Sequence, residues 1–147
     1  MEMMEEVFYT PVERNEGSVW YFGYNAGIDF GFDPPFILDN SAMSQWEGCA
    51  SISDSAGNCL FYTNGITVWD STHTVMLNGT GLNGDQQCTQ SGVIVPNPEL
   101  DNIYYIFTVT LNAGADGMQY SVVDMTLNGG LGAVTAEKNI SVNTPNT

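Results

Sequence analysis

Basic residues are almost missing from this 147-residue chain: Arg14 and Lys138 stand against 17 aspartates and glutamates, for a formal net charge of −15. That balance excludes nucleic acid and anionic membrane as partners, because both need a basic footprint. Long apolar runs are missing too. None approaches the roughly 18 residues of a membrane span. The start, Met1-Glu2-Met3-Met4-Glu5-Glu6, lacks the basic and apolar segments of a signal peptide. The chain therefore reads as cytoplasmic, or as an exported protein seen without its export signal. Helix signals are scarce: only 41–47 (SAMSQWE) could form a turn or two, stopped by Gly48. Three cysteines, Cys49, Cys59 and Cys88, cannot all pair within one chain. A turn centred on Ala56-Gly57 sets Cys59 opposite about Asp54, which leaves Cys49 roughly 17 Å further along its strand. All three are expected to be buried or free thiols. There is no CxxC, and the single His73 completes no zinc site with them at a usual spacing.

The remainder is rich in turns and β-forming residues. The chain is 43% hydrophobic and 12% aromatic, enough for one domain with a real core. Only 13% is charged, so the acidity is not that of a solvated tail. It fits a folded domain with an Asn, Thr, Ser, Gly and Asp surface, a type common outside cells, whose field attracts divalent cations or basic partners. Asn64-Gly65, Asn78-Gly79, Asn83-Gly84, Asp116-Gly117 and Asn128-Gly129 favour positive φ and tight hairpins. Between them the pattern predicts strands near 18–23, 27–31, 35–38, 49–54, 59–63, 66–70, 92–96, 103–110, 118–125 and 133–142. The segment 49–76 (CASISDSAGNCLFYTNGITVWDSTHTVM) and the segment 92–142 both read as strands joined by short loops. Four-stranded meanders of ~40–50 residues are the repeating unit of β-propellers. An inner blade strand is buried on both faces, as the run Ile103-Tyr104-Tyr105-Ile106-Phe107 suggests. An outer strand alternates, as 133–142 suggests. The fold class is thus all-β, with antiparallel four-stranded meander blades forming a partial β-propeller. A β-sandwich is the alternative.

Several stretches carry a family resemblance. Trp20-Tyr21-Phe22-Gly23-Tyr24-Asn25-Ala26-Gly27-Ile28-Asp29-Phe30 resembles the WYFGxxAGLDF opening of a family of large secreted proteins of Bacteroidetes. EGCASISDSAGNCLFYTNGITVWDSTHTVM is similar to that family's EGxAxISDxxGNLLFYTDGxxVWNxxHxxM. TQSGVIVPNPELDNIYYIFTV and YSVVDMTLNGGLGAVTAEKN resemble its following blade. Order and spacing are kept over about residues 18–142. The resemblance implies a propeller-like region, an extracellular or cell-surface setting, and a larger protein sorted by gliding-associated, type IX secretion. It brings no catalytic residue with it. Cys59 departs from the pattern, standing where the family has an aliphatic residue, which favours a buried thiol. The chain holds about two to three blades, and a closed propeller needs about four to eight. It is therefore a fragment, or completes itself with copies, or reuses its blades as a sandwich. Open strand edges would make it self-associate. The expected organisation is an N-terminal arm, 1–17, and one blade domain, 18–147. The arm's Val7-Phe8-Tyr9-Thr10 is apolar enough to add a strand.

Candidate chemistry is sparse. His73, between Asp70 and Met76, is expected to be a hydrogen-bonding turn residue, because its sequence neighbours on a strand point to the opposite face. Asp54 is expected to cap backbone N–H groups in the turn it opens. Asp29, Asp33 and Asp54 are the candidate calcium ligands, and calcium is the one cofactor that the acidic loops suggest. Asp29, Asp33, Asp39 and Glu47 form the densest acidic stretch, and two carboxylates ~5–9 Å apart would suit glycoside hydrolysis. Trp20 and Trp69 are expected in the core, and Trp46 on the surface. With Glu47, Trp46 is the candidate ligand or glycan contact. Asn78-Gly79-Thr80 and Asn139-Ile140-Ser141 match glycosylation sequons and read as accidental. The favoured function is a non-enzymatic extracellular structural or adhesive module, a homo-oligomer or part of a larger propeller. A glycan- or ligand-binding module comes second and a glycoside hydrolase third.

Overall fold

The computed structural model describes residues 14–111 and 117–142. Most of the expected N-terminal arm, including Val7–Thr10, lies outside the described residues. The protein is all-β. Strands β1 (Val19–Phe22), β2 (Ala26–Asp29) and β3 (Phe36–Leu38) form a three-stranded antiparallel sheet. Strands β4 (Ala50–Ser53), β5 (Cys59–Thr63), β6 (Thr67–Asp70) and β7 (Val75–Thr80) form a four-stranded meander. A second meander runs through β8 (Gly92–Pro96), β9 (Ile103–Val109), β10 (Met118–Asp124) and β11 (Ala133–Val134). Strand β12 (Ile140–Ser141) pairs with the start of β10. The second meander was expected with four strands; the first was expected with three, and β7 makes it four.

The turns show why the strands stop where they do. Asp54 Oδ1 accepts from the Ala56 and Asn58 N–H groups, each at 2.9 Å. Asn64 Oδ1 accepts from Ile66 and Thr67 at 3.0 and 2.8 Å, closing the β5–β6 turn. Asp70 Oδ1 takes the Thr72 N–H and hydroxyl at 2.8 and 2.6 Å. Short acceptors that bond their own backbone two residues on stabilise turns in this way. The turn places Ser53, not Asp54, opposite Cys59, through a bulge after Ile52. All three cysteines are free, as expected.

Other expectations need correction. Residues 41–47 form no helix; Ser44 makes an isolated bridge to Tyr24, and Gln45 N–H donates to the Gly23 carbonyl at 2.9 Å. Asn78-Gly79 makes no hairpin but lies inside β7, a strand missing from the expected set. The single outer strand 133–142 is two short strands. Asn139, at φ 55°, breaks the run, and Lys138 between them donates to the carbonyls of Asn78 and Thr80. The Asn78 side chain donates to the Val134 and Thr135 carbonyls, while Asn139 Nδ2 donates to Gly81. Both sequon asparagines are thus engaged within the fold.

The two meanders join through β7 and β11 into one sheet, nearly closed like a barrel because β4 also lies beside β8, and β1–β3 is a separate sheet whose β1 lies beside β4. The β4–β7 sheet presents Ile52, Phe61, Val68 and Met76 to Ile106, Val123 and Val134 of the β8–β11 sheet. Its opposite face presents Tyr62 and Trp69 to Val19 and Tyr21 of β1, with Met43. A layer covered on both sides needs apolar residues on both sides, which accounts for the unbroken run Leu60-Phe61-Tyr62. The expectation of two buried faces fails for β9, whose pattern is half-buried, because no sheet lies beyond it among the described residues. Trp20, expected in the core, is 54% exposed. The edges also differ from expectation. β7 and β11 are joined by a short parallel pairing at Leu77 and Ala133, and β4 is flanked by β1 and β8. The open features of this molecule are faces more than edges.

Candidate functional site

The first strands of the three-stranded sheet and of the two meanders, β1, β4 and β8, lie side by side. Side-chain hydroxyls join β1 to β4. Ser51 Oγ donates to the Val19 carbonyl at 2.9 Å and accepts from the Tyr21 N–H at 3.3 Å. Ser53 Oγ accepts from the Val19 N–H at 3.3 Å, and the Cys49 thiol donates to the Tyr21 carbonyl at 3.5 Å. The alternation in Cys49-Ala50-Ser51-Ile52-Ser53 is what makes this possible: every second residue faces β1. Joining β4 to β8 takes close backbone approach. Gly48 N–H donates to the Cys88 carbonyl at 3.1 Å, and a Cβ on Gly48 would lie 2.8 Å from the carbonyl oxygens of Cys88 and Thr89.

Between these strands runs an apolar groove of about 690 Å³. Trp20, Phe22, Ile28 and Phe30 form one wall, Gln90, Val93 and Ile94 the other, and Cys49 to Ser51 the floor. The Trp20 ring is fixed. Its Nε1–H donates to the Gly17 carbonyl at 2.8 Å, and its edge packs against Phe30 at 5.3 Å between ring centres. With the indole N–H already satisfied, what Trp20 offers the groove is an apolar face.

Trp46 is 64% exposed, as its sequence context suggests. Glu47 accepts a hydrogen bond from Thr89 Oγ1 at 3.3 Å. The residue that positions this pair is Gln45, which sequence reasoning did not single out. It is buried, and its amide donates to the Gly48 carbonyl at 2.8 Å. Nothing in the sequence distinguishes it from the exposed amides around it. Neither Trp46 nor Glu47 lines the groove.

The candidate calcium ligands are only partly gathered. Asp29 is half-buried, and its Oδ1 accepts from the Gly31 N–H at 2.8 Å. It shares a recess of about 310 Å³ with Asn15 and with Ala56 to Asn58 of the turn that Asp54 organises. Asp33 lies on the exposed β2–β3 loop, outside the recess residues. Among the described residues no three acidic, histidine or cysteine side chains converge as a metal site. Burial pushes the Asp54 carboxyl upward, but the Asn58 side chain and the backbone groups of Asn58, Ala56 and Gly57 outweigh it and lower its pKa. A lowered folded pKa contributes stability that is present above the unfolded pKa and lost as pH falls through the folded one. Asp54→Ala is therefore expected to cost about 1 kcal/mol at neutral pH. The gap in melting temperature from wild type should narrow as pH drops below 3.8. A gap that stays constant down to the acid limit would show that the charge on Asp54 is irrelevant.

His73 is a turn residue, as expected. It sits at φ 64°, its Nδ1 lies 3.1 Å from the Tyr62 hydroxyl, and its Nε2 is 2.9 Å from Asn40 Nδ2. Its ring packs edge-on against Tyr21 at 5.4 Å. The Tyr62 hydroxyl also accepts from the Ala42 N–H at 3.0 Å. His73 thus ties the β6–β7 turn to the 38–43 loop across the aromatic layer.

Burial raises the pKa of Cys49 and takes Cys59 up to about 12. Burial, with Asp85 and Glu47 nearby, raises that of Cys88. Thiolate is the reactive form. Titration with a disulfide reagent at pH 8 should therefore proceed at least ~10-fold more slowly on the native protein than in denaturant. Equal rates would contradict the placement of these side chains.

Compared with protein-family models, curated proteins and solved structures, the chain matches none.

Proposed function

We propose that this chain is a structural and adhesive module of an exported surface protein, built as a partial stack of propeller-type blades and acting without catalysis. One observation carries the reading: among the described residues, β1, β3 and β8 expose large apolar side chains, with Trp20, Phe22, Ile37, Val93 and Val95 all exposed. On β1–β3, Trp20, Ile28 and Ile37 form a cross-strand row, and Phe22 pairs with Ala26 beside it. On β8–β10, Val93, Phe107 and Tyr120 form one row and Val95, Tyr105 and Val122 another. Directly paired residues share a face. Contiguous apolar surface of this kind marks an interaction site. The side-by-side first strands, β1, β4 and β8, are arranged as successive blades about an axis would be, which supports the propeller reading.

The test is adhesion. Beads carrying the chain through an N-terminal tag should stick to a surface of cell-envelope material. The pairs Val93→Lys with Val95→Lys, and Trp20→Lys with Phe22→Lys, should remove most of that adhesion while the circular dichroism stays native. Adhesion unaffected by either pair sinks the proposal.

A second reading, glycan or small-ligand binding, is favoured by the groove and by the fixed ring of Trp20. Titration with oligosaccharides should then shift tryptophan fluorescence, and Trp20→Ala should abolish the shift while Trp46→Ala should not. No shift up to ~10 mM ligand, where binding is worth only about 3 kcal/mol, rejects it.

A further inference from the structure

We infer that the groove between β1, β4 and β8 binds an uncharged, largely apolar small molecule, aromatic in character and carrying at most one hydrogen-bonding group. The inference rests on the small-ligand side of the second reading above and sets aside its glycan side.

Three properties of the lining select that chemistry. The first is apolarity. Trp20, Phe22, Phe30 and Val93 all line the groove and all remain exposed. Large apolar groups left in water gain by being covered. An aromatic ligand suits them best, since ring pairs in offset or edge-on contact attract beyond their buried area. Trp20 is already held by its bond to Gly17 and by Phe30, so little order is lost when a ligand stacks on it. A volume of about 690 Å³ is that of a small-molecule site.

The second property is the state of the polar groups. The polar lining side chains other than Gln90 are already engaged within the fold. Trp20 Nε1–H donates to the Gly17 carbonyl, the Tyr21 hydroxyl to Asn40 Oδ1, the Cys49 thiol to the Tyr21 carbonyl, and Ser51 Oγ to the Val19 carbonyl. Gln90 is exposed, and its amide is the side-chain group left to meet a polar atom of the ligand. A sugar carries a hydroxyl on most ring carbons, and each one buried without a partner opposes binding. A ligand with a single carbonyl, amide or N–H group meets no such penalty.

The third property is charge. Among the described residues that line the groove none is charged, in a chain of net charge −15. The long-range field repels an anion. A cation would leave water for a lining with no carboxylate to pair with it. An uncharged molecule meets neither cost.

The test uses the full chain and N-phenylnaphthylamine, an uncharged probe whose aromatic groups are joined through one N–H and which fluoresces when it leaves water. It should bind saturably, one molecule per chain, with half-saturation below ~50 µM. Its sulfonated relative, anilinonaphthalenesulfonate, has the same rings and a negative charge, and should bind at least ~10-fold more weakly. Trp20→Ala and Val93→Ser, on opposite walls, should each weaken the uncharged probe at least ~10-fold. Leu100→Ser, at an exposed leucine outside the groove, should change nothing. Cys49 gives a readout that needs no substitution. It lies on the groove floor, so saturating probe should slow its alkylation several-fold, followed by mass spectrometry, and leave that of Cys59, which is not a lining residue, unchanged. Four results overturn the inference: no saturable binding of the uncharged probe; equal binding of its sulfonated relative; displacement of the probe by cellohexaose; or binding that neither wall variant weakens and that leaves Cys49 unprotected. Binding that appears only in Phe8→Ser with Tyr9→Ser would make residues 7–10 of the same chain the occupant, and overturns it too. An oligosaccharide that shifts tryptophan fluorescence while the probe fails to bind would remove the inference and leave the glycan reading standing.

Discussion

Gly65→Ala is expected to destabilise the protein by about 3–5 kcal/mol, a large effect for the addition of one methyl group. Two costs act together. Gly65 sits at φ 83°, where a side chain is strained in any surroundings. Its added Cβ would meet Ser91 Oγ and lie 2.5 Å from the Ser91 carbonyl oxygen. Ser91 cannot yield cheaply, because it is fully buried and its hydroxyl donates to the Asn64 carbonyl at 2.6 Å. This is the point where the β5–β6 turn meets the segment leading into β8, so the strain acts on the junction of two sheets. Gly81 isolates the backbone part of the effect. It has φ 72° and nothing within 4 Å of a built Cβ, so Gly81→Ala should cost about 1 kcal/mol. Thermal unfolding of the two variants should differ by on the order of 10 °C. Equal melting temperatures would mean that the close packing at Ser91 is not there.

Phe61→Ala is expected to cost about 3–5 kcal/mol, and Phe107→Ala about 1 kcal/mol or less in the monomer. The two phenylalanines have similar sequence surroundings, each in an apolar strand with a tyrosine within two residues. Phe61 is fully buried, packs edge-on against Tyr104 at 5.5 Å, and joins the core between two sheets. Phe107 is half-buried on the outer side of β9, with Tyr105 and Tyr120 each 6.2 Å away. Removing the first leaves a cavity, and removing the second trims a half-buried surface. Unfolding of the two variants in denaturant would separate the effects. A loss equal to that of Phe61→Ala in dilute solution would show that the face is already buried within the chain.

The all-β class, the two four-stranded meanders and most strand positions could be read from the sequence. The reason is local: β-branched and aromatic runs between Asn, Asp and Gly turns have few alternatives. The Asp54 cap, the His73 turn, the free cysteines and the exposure of Trp46 were legible on the same grounds. Which faces are covered was not. Val19-Trp20-Tyr21-Phe22 and Ile103 to Phe107 are as apolar as the strands of the middle sheet, and period and composition cannot say whether a second layer arrives. The stacking order decided that, burying Tyr62 on one side and leaving Trp20 bare on the other. The groove, the positioning by Gln45 and the Lys138 clasp all depend on residues far apart in the chain. The sequence by itself determined the strands and their turns, because those follow from neighbouring residues. Only the tertiary structure decided which side of each sheet is core and which is surface, because burial belongs to the layer opposite and is not written in the strand itself.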